Sequence, residues 1–254
     1  MSENFSRGKN ARIGTWITVP HPSIVEMLAS TDFDWLCVDL EHSPVSRLEL
    51  QTAIAIIQGK GKKAFVRVPQ NSHLEIKFPL DAGVDGIIIP MVNSASEARL
   101  AVSNCLYPPA GNRGVGLARA AGFGFEFENH MAKNLNELEI IVQIEHIKAV
   151  EEIEEILSIN KVTGVFLGPY DLSGSMGIPG QFDDPRMVAA IAKVAKKTVQ
   201  ANKILGAHVI APSAAKVEEY LNLGYNFVAF STDTLFLGHK IKDELSRIRI
   251  FDKK

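Results

Sequence analysis

Eight short apolar runs, rich in β-branched residues, recur along the chain at 13–18, 35–40, 64–68, 86–90, 139–144, 162–167, 205–210 and 227–230. Each has the length of a strand, and most are nearly continuous in apolar character. Parallel strands buried on both faces read this way. The stretches between them carry helical spacing. In 148–157, Val150, Ile153, Ile156 and Leu157 fall on one face and the glutamates on the other. Helix starts are marked as well. Ser23 and Glu26, Ser46 and Glu49, Ser72 and Glu75, and Ser94 and Glu97 each fit the Ser-x-x-Glu capping box. These boxes stand 22 to 26 residues apart, room for one strand, a loop and one helix. Eight such units predict an α/β fold of the (β/α)8 TIM barrel type, with an open doubly wound sheet as the alternative. No linker or low-complexity stretch interrupts the series. The expectation is one barrel domain over 1–254 with a polar tail at 1–10.

Composition narrows function more than fold. The 254 residues carry 27 Lys and Arg against 29 Asp and Glu, a net charge of −2. That balance leaves no electrostatic footprint for nucleic acid or an anionic membrane. The longest apolar stretch, 87–92, is far short of the roughly 20 residues a bilayer span needs. The tail lacks an apolar signal region, which predicts a cytoplasmic protein. Cys37 and Cys105 read as small buried hydrophobes rather than a disulfide or a catalytic thiol. The connection at 105–136 is long for a compact domain, and such loops are often functional. Within it, Arg113 and Arg119 lie among glycines, where they either hold an anion or pair with surface acids.

In an α/β barrel, chemistry belongs at the C-terminal ends of the strands. Those ends carry Asp39, Glu41 and His42, then Arg67, then Gln143 and Glu145, then Gly168, Pro169, Tyr170 and Asp171. Lys63, Lys161 and Lys203 precede their strands and suggest a solvated opposite rim. Glu145 and Asp171 follow successive strands. Two carboxylates about 4 Å apart repel by roughly 4 kcal/mol at an effective dielectric of 20. Such a pair shares a proton, spreads apart, or holds a cation. A divalent ion is the preferred answer, and oxygen ligands suit Mg²⁺ or Mn²⁺ better than structural zinc. A salt bridge from Glu145 to a loop lysine is the simpler alternative. His42 reads either as a general acid–base or as a loop histidine bonded to backbone. Arg67, charged within a strand, needs a partner: a carboxylate or oxyanion ligand, or Asp39 or Glu41. No strand ends in a lysine, which disfavours imine chemistry and favours a metal as electron sink.

Asp39-x-Glu41-His42-x-Pro44, Arg67, Tyr107-Pro108-Pro109 with Arg113-Gly114-Val115-Gly116, Gln143-x-Glu145 and Gly168-Pro169-x-Asp171-Leu172-Ser173 occur in that order. In this the chain resembles the HpcH/HpaI aldolase family over about 13–234. The resemblance implies metal-dependent class II aldolases that cleave 4-hydroxy-2-oxo acids to pyruvate and an aldehyde, in homo-oligomers that are commonly hexamers. It implies a divalent metal (Mg²⁺, Mn²⁺ or Co²⁺) on Glu145 and Asp171, with Arg67 stabilising the enolate oxygen. It further implies that His42 handles the 4-hydroxyl proton, oriented by Asp81 of the same or a neighbouring subunit. Asp39 and Glu41 would support these residues, Gln143 would help bind substrate, and the backbone around Gly168 to Asp171 would grip the pyruvate carboxylate. His146 and Tyr170 depart from the family's usual residues and leave the acceptor pocket open. Two other readings compete: a CoA-thioester lyase of the citrate lyase or malyl-CoA lyase type, and a keto-acid-binding barrel without turnover. The first would need a basic surface groove, of which the sequence gives no clear sign.

Overall fold

A computed structural model describes residues 11–251, so the tail at 1–10 lies outside the described residues. Each expected run forms a strand: β1 Arg12–Ile17, β2 Trp35–Asp39, β3 Lys63–Arg67, β4 Gly86–Ile89, β5 Glu139–Ile144, β6 Gly164–Leu167, β7 Ile204–Val209 and β8 Phe227–Thr232. They pair in parallel in sequence order, and β8 returns to β1, which closes the barrel and excludes the open sheet. A register shift between Gly14 and Trp16 marks that closing seam.

The outer ring starts with α1 Pro22–Ala29, α2 Arg47–Gly59, α3 His73–Ala82 and α4 Ala95–Cys105. A 3₁₀ segment, Arg119–Gly124, and α5 Phe127–Glu137 fill the long connection before β5. There follow α6 Ile147–Glu151, α7 Ile153–Ser158, α8 Pro169–Ser175, α9 Pro185–Gln200, α10 Ala214–Asn222 and α11 Asp233–Phe251. Three of the four predicted boxes cap helices. Ser46 and Glu49 form the full reciprocal box, while Ser72 and Ser94 accept from the Glu75 and Glu97 amides. Ser23 does not cap, because α1 begins at Pro22 and the His21 side chain accepts from the Ser23 amide. Proline is pre-organised for the first helical position and has no N–H to lose.

Alternation along the strands divides the molecule. Outward residues such as Val38, Val66, Ile87, Val142 and Val165 pack beneath the helices. Inward residues fill the lumen with rings: Trp16, Trp35, Phe65, Phe166 and Phe227, together with Cys37, Ile88 and Ile141. Trp35 stacks on Phe227 with centroids 4.0 Å apart. Gly14 permits this, since a Cβ there would come within 2.0 Å of the Trp35 ring. Each buried ring contributes about 2–3 kcal/mol of transfer free energy. Both cysteines are buried and free, as expected. The N-terminal end of the lumen carries Arg12, which makes two 2.7 Å bonds to Glu139 and lies 5.0 Å above Phe227.

Candidate active site at the C-terminal rim

The period of two along a strand decides what reaches the lumen. On β2, Trp35 and Cys37 point inward, and so does Asp39 at the rim. On β3 the inward series is Lys63, Phe65 and Arg67. On β5 it runs through Ile141 to Gln143, and Glu145 follows just beyond the strand. On β7 it places His208 above Gly206. Aromatic and small residues occupy the lower layers, and polar side chains arrive together at the top.

Arg67 is the hub. Asp39 is its register partner on β2. Arg67 Nε and Nη2 donate to the two Asp39 carboxylate oxygens at 2.8 and 2.7 Å. Its Nη1 stands 3.1 Å from Glu41 Oε2, and the guanidinium lies 4.6 Å from the Trp16 ring centroid. The fork geometry leaves N–H groups on Nη1 and Nη2 free for a further acceptor. The sequence left Arg67's partner open between a ligand and its own carboxylates; the structure supplies both Asp39 and Glu41.

Glu145 is buried, with 5% of its surface exposed. The Met91 backbone N–H donates to its Oε2 at 3.0 Å, and Gln143 Nε2 donates to its Oε1 at 2.9 Å. Met91 holds a φ of +52°, a strained value that aims its amide at the carboxylate. Gly168 makes room on the other side: a Cβ there would sit 2.4 Å from Glu145 Oε1. Burial pushes the Glu145 carboxyl up to about 7, against the Met91 hydrogen bond, and the negative charges of Glu41 and Asp171 add to the rise. Burial likewise raises Glu41, although Arg67 pulls it down.

Asp171 occupies the first turn of α8 and is exposed, as is neighbouring Tyr170, whose ring meets Phe182 edge-on at 4.9 Å. Pro169 has no N–H, and the Gly168 N–H is used by Ile144 O. The Tyr170 and Asp171 amides are first-turn groups with no intrahelical acceptor. His42 lies on the loop after β2 with its side chain 70% exposed, 3.8 Å from Glu41 Oε2. Asp81 is elsewhere. It sits near the end of α3, where Arg113 Nη2 donates to it at 2.8 Å. His146 caps α6, its Nδ1 accepting from the Lys148 amide at 3.2 Å. A serine or threonine could do the same work, so the residue has a structural task here. The opposite rim is less solvated than predicted: Lys203 is half-buried and donates to the Ile159 and Val162 carbonyls.

Sequence reasoning missed two lumen residues. His208 donates through Nε2 to the Ser231 carbonyl at 3.2 Å and meets the Trp16 ring edge-on at 5.9 Å. Burial lowers its pKa to about 4, which keeps it neutral. A histidine inside an otherwise apolar strand was the available signal. Trp16 leaves its buried Nε1 without a partner, as Gln143 leaves its Oε1. The Met91 amide and the Ser231 carbonyl had no signal, since both depend on backbone bends at positive φ.

A buried carboxylate with a raised pKa, two more carboxylates in its field and an unpartnered amide oxygen form an oxygen donor set suited to a hard divalent cation. Among the described residues, no three His, Cys, Asp or Glu side chains converge tightly enough to hold an ion unaided. Fold and rim together define a barrel enzyme that could stabilise negative charge on an oxygen.

Comparison with known proteins places it. Residues 12–239 match the model of the HpcH/HpaI aldolase/citrate lyase family. The chain is 34% identical over 249 residues to a 2-keto-3-deoxy-L-rhamnonate aldolase of Escherichia coli O17:K52:H18, covering 97% of this chain and 92% of that one. A family protein from Burkholderia cenocepacia superposes with a TM-score of 0.89 at 30% identity, covering 95% of this chain and 96% of the other. An HpcH/HpaI aldolase from Desulfitobacterium hafniense gives 0.86 at 30% identity, with 97% of each chain covered. The chain belongs to the HpcH/HpaI aldolase/citrate lyase family. It is a carbon–carbon lyase, a class II aldolase that splits a 4-hydroxy-2-oxo acid into pyruvate and an aldehyde.

Proposed function

We propose that the substrates are 2-keto-3-deoxy sugar acids, cleaved reversibly to pyruvate and a hydroxyaldehyde. The likeness to 2-keto-3-deoxy-L-rhamnonate aldolases over nearly the whole chain supports the substrate class. One observation carries the residue roles: Glu145, buried and held by Met91 and Gln143, faces the fields of Asp171 and Arg67.

In this reading Glu145 and Asp171 hold the divalent cation, whose species among Mg²⁺, Mn²⁺ and Co²⁺ the oxygen donors do not select. When bound, that ion supplies Lewis acidity at the keto acid. Arg67 directs its free N–H groups at the oxygen that becomes an enolate as the C3–C4 bond breaks. Asp39 and Glu41 fix the Arg67 fork. The Tyr170 and Asp171 amides receive the pyruvate carboxylate, with Gly168 and Pro169 shaping the turn. Gln143 orients Glu145 and offers its Oε1 to the substrate. His42, on an exposed loop, takes the 4-hydroxyl proton and returns a proton in the synthetic direction. Asp81 acts on His42 only across a subunit contact, because within one chain it is bound to Arg113. The reading therefore requires a homo-oligomer, a hexamer by family resemblance, which light scattering can check; we place it in the cytoplasm.

Incubation with pyruvate in D₂O, with Mn²⁺ and then with chelator, tests the core of it. Metal-dependent loss of the methyl proton signal is expected, followed by aldol products with hydroxyaldehydes. Exchange that persists in chelator would overturn the assignment of the metal.

A further inference from the structure

One polar side chain of the lumen has no part in the roles assigned above. His208 lies on β7, the strand opposite β3 in the ring of eight, so it faces Arg67 across the barrel. Trp16 joins the two. The Arg67 guanidinium lies 4.6 Å from its ring centroid, and the His208 ring meets it edge-on at 5.9 Å. The three side chains therefore border one volume at the top of the lumen.

The imidazole is held in one orientation and one tautomer. The Ser231 carbonyl accepts from His208 Nε2 at 3.2 Å and from Thr15 Oγ1 at 3.1 Å. A carbonyl has no hydrogen to give, so Nε2 carries the proton. Burial keeps the ring neutral, and the positive charge of Arg67 acts in the same direction. Nδ1 is thus a bare acceptor, with no hydrogen-bond partner among the described residues. It is also open: His208 is only partly buried, and Nδ1 is not one of the unpaired polar atoms closed off from solvent.

What meets Nδ1 follows from the shape of a 2-oxo acid. The carboxylate, the oxygen and C3 leave its planar C2 in three directions. In the reading above, on which this inference rests, the carboxylate lies on the α8 amides beyond β6, and the oxygen lies on Arg67 of β3. C3 is left to face the sector from β7 to β1, where His208 and Trp16 stand. We propose that His208 is a specificity-determining residue whose Nδ1 accepts a hydrogen bond from a hydroxyl on C3. The barrel then takes a second class of donor, 2-oxo acids hydroxylated at C3, of which 3-hydroxypyruvate is the smallest. A methyl group in that place offers Nδ1 nothing, and an acceptor left unpaired costs binding. In the synthetic direction 3-hydroxypyruvate gives up one C3 proton, C3 forms the bond to the aldehyde carbon, and the aldehyde oxygen takes up a proton. The product is a 3,4-dihydroxy-2-oxo acid; cleavage is the reverse, and nothing is oxidised or reduced.

Addition of pyruvate and of 3-hydroxypyruvate to glycolaldehyde by the Mn²⁺-loaded full chain, followed by NMR, tests it. Calorimetric titration of both donors without aldehyde gives a second readout. Turnover of both donors is expected, with 3-hydroxypyruvate bound about fivefold more tightly. His208→Leu is expected to lower the ratio of kcat/KM for 3-hydroxypyruvate to that for pyruvate about tenfold, and to remove the preference in binding. His208→Asn, whose amide oxygen can stand where Nδ1 stands, is expected to restore much of that ratio. A ratio within one variant does not depend on the fraction of folded enzyme. An unchanged ratio in His208→Leu would overturn the inference. Turnover of pyruvate alone by the unaltered chain would also overturn it, and would leave the proposed roles of Arg67 and α8 standing. Turnover of neither donor would overturn both.

Discussion

The two ends of the barrel lumen carry the same construction. At the N-terminal end Arg12 grips Glu139 with two 2.7 Å bonds, over the ring of Phe227. At the C-terminal end Arg67 grips Asp39 at 2.8 and 2.7 Å, over the ring of Trp16. A bidentate pair on an aromatic face is thus no sign of chemistry. What differs is the company. Arg12 and Glu139 balance each other, whereas Arg67 is shared by Asp39 and Glu41 and lies in the field of Glu145, with Asp171 close enough to act on both glutamates. Unbalanced negative charge, part of it buried, separates a plug from a reactive rim.

Removing Glu145 breaks that asymmetry most severely. Glu145→Ala is expected to lower kcat/KM for retro-aldol cleavage by about a thousandfold or more while the circular dichroism stays unchanged. Full activity of this variant in chelator would take the residue out of the metal site. Truncating the two arginines contrasts the ends directly. Arg67→Ala is expected to cost about a hundredfold in kcat through the loss of enolate stabilisation. Arg12→Ala should leave kcat alone and cost about 1–2 kcal/mol of stability, a few degrees in Tm, since its pair is partly solvated. Equal kinetic losses in both would erase the distinction.

Gly168→Ala gives a smaller, geometric effect. The added methyl would push on the Glu145 carboxylate, and metal affinity is expected to fall about tenfold with the barrel intact, read by Mn²⁺ titration. The last effect is one of pH and reads stability rather than turnover. Burial raises the Glu145 carboxyl from its usual 4.5 to about 7. Between those values the folded, metal-free chain holds a proton that the unfolded chain has released. Its stability therefore declines as pH rises from 4.5 to 7, by up to roughly 3 kcal/mol, several degrees in Tm. Metal affinity runs the opposite way and rises toward neutrality, because binding expels that proton. A metal-free Tm that climbs over this window would contradict the assignment.

How much of this was legible depended on whether the residues answer to a repeating rule. Continuous apolar runs marked all eight strands, since strands buried on both faces admit little else. The capping boxes located three helices and failed at Ser23, where Pro22 set the start instead. Asp39, Glu41, Arg67, Gln143 and Glu145 were readable at the rim because strand ends announce them. Their partnerships were not, since the grip of Asp39 on Arg67 and of Met91 on Glu145 depends on barrel register and a strained backbone. Asp81 entered only through family resemblance, as a residue that orients His42 from this or a neighbouring subunit; within the folded chain its carboxylate accepts from Arg113. His208 was overlooked because one polar residue does little to the apolar character of a strand.

The alternation that fills the lumen also makes the reactive rim a quality check on folding. A slip of one residue in β5 would turn Ile144 into the lumen and Gln143 and Glu145 out among the helices. A misregistered molecule therefore cannot assemble the donor set. In any preparation, the fraction of chains that takes up metal counts those whose barrel has closed correctly.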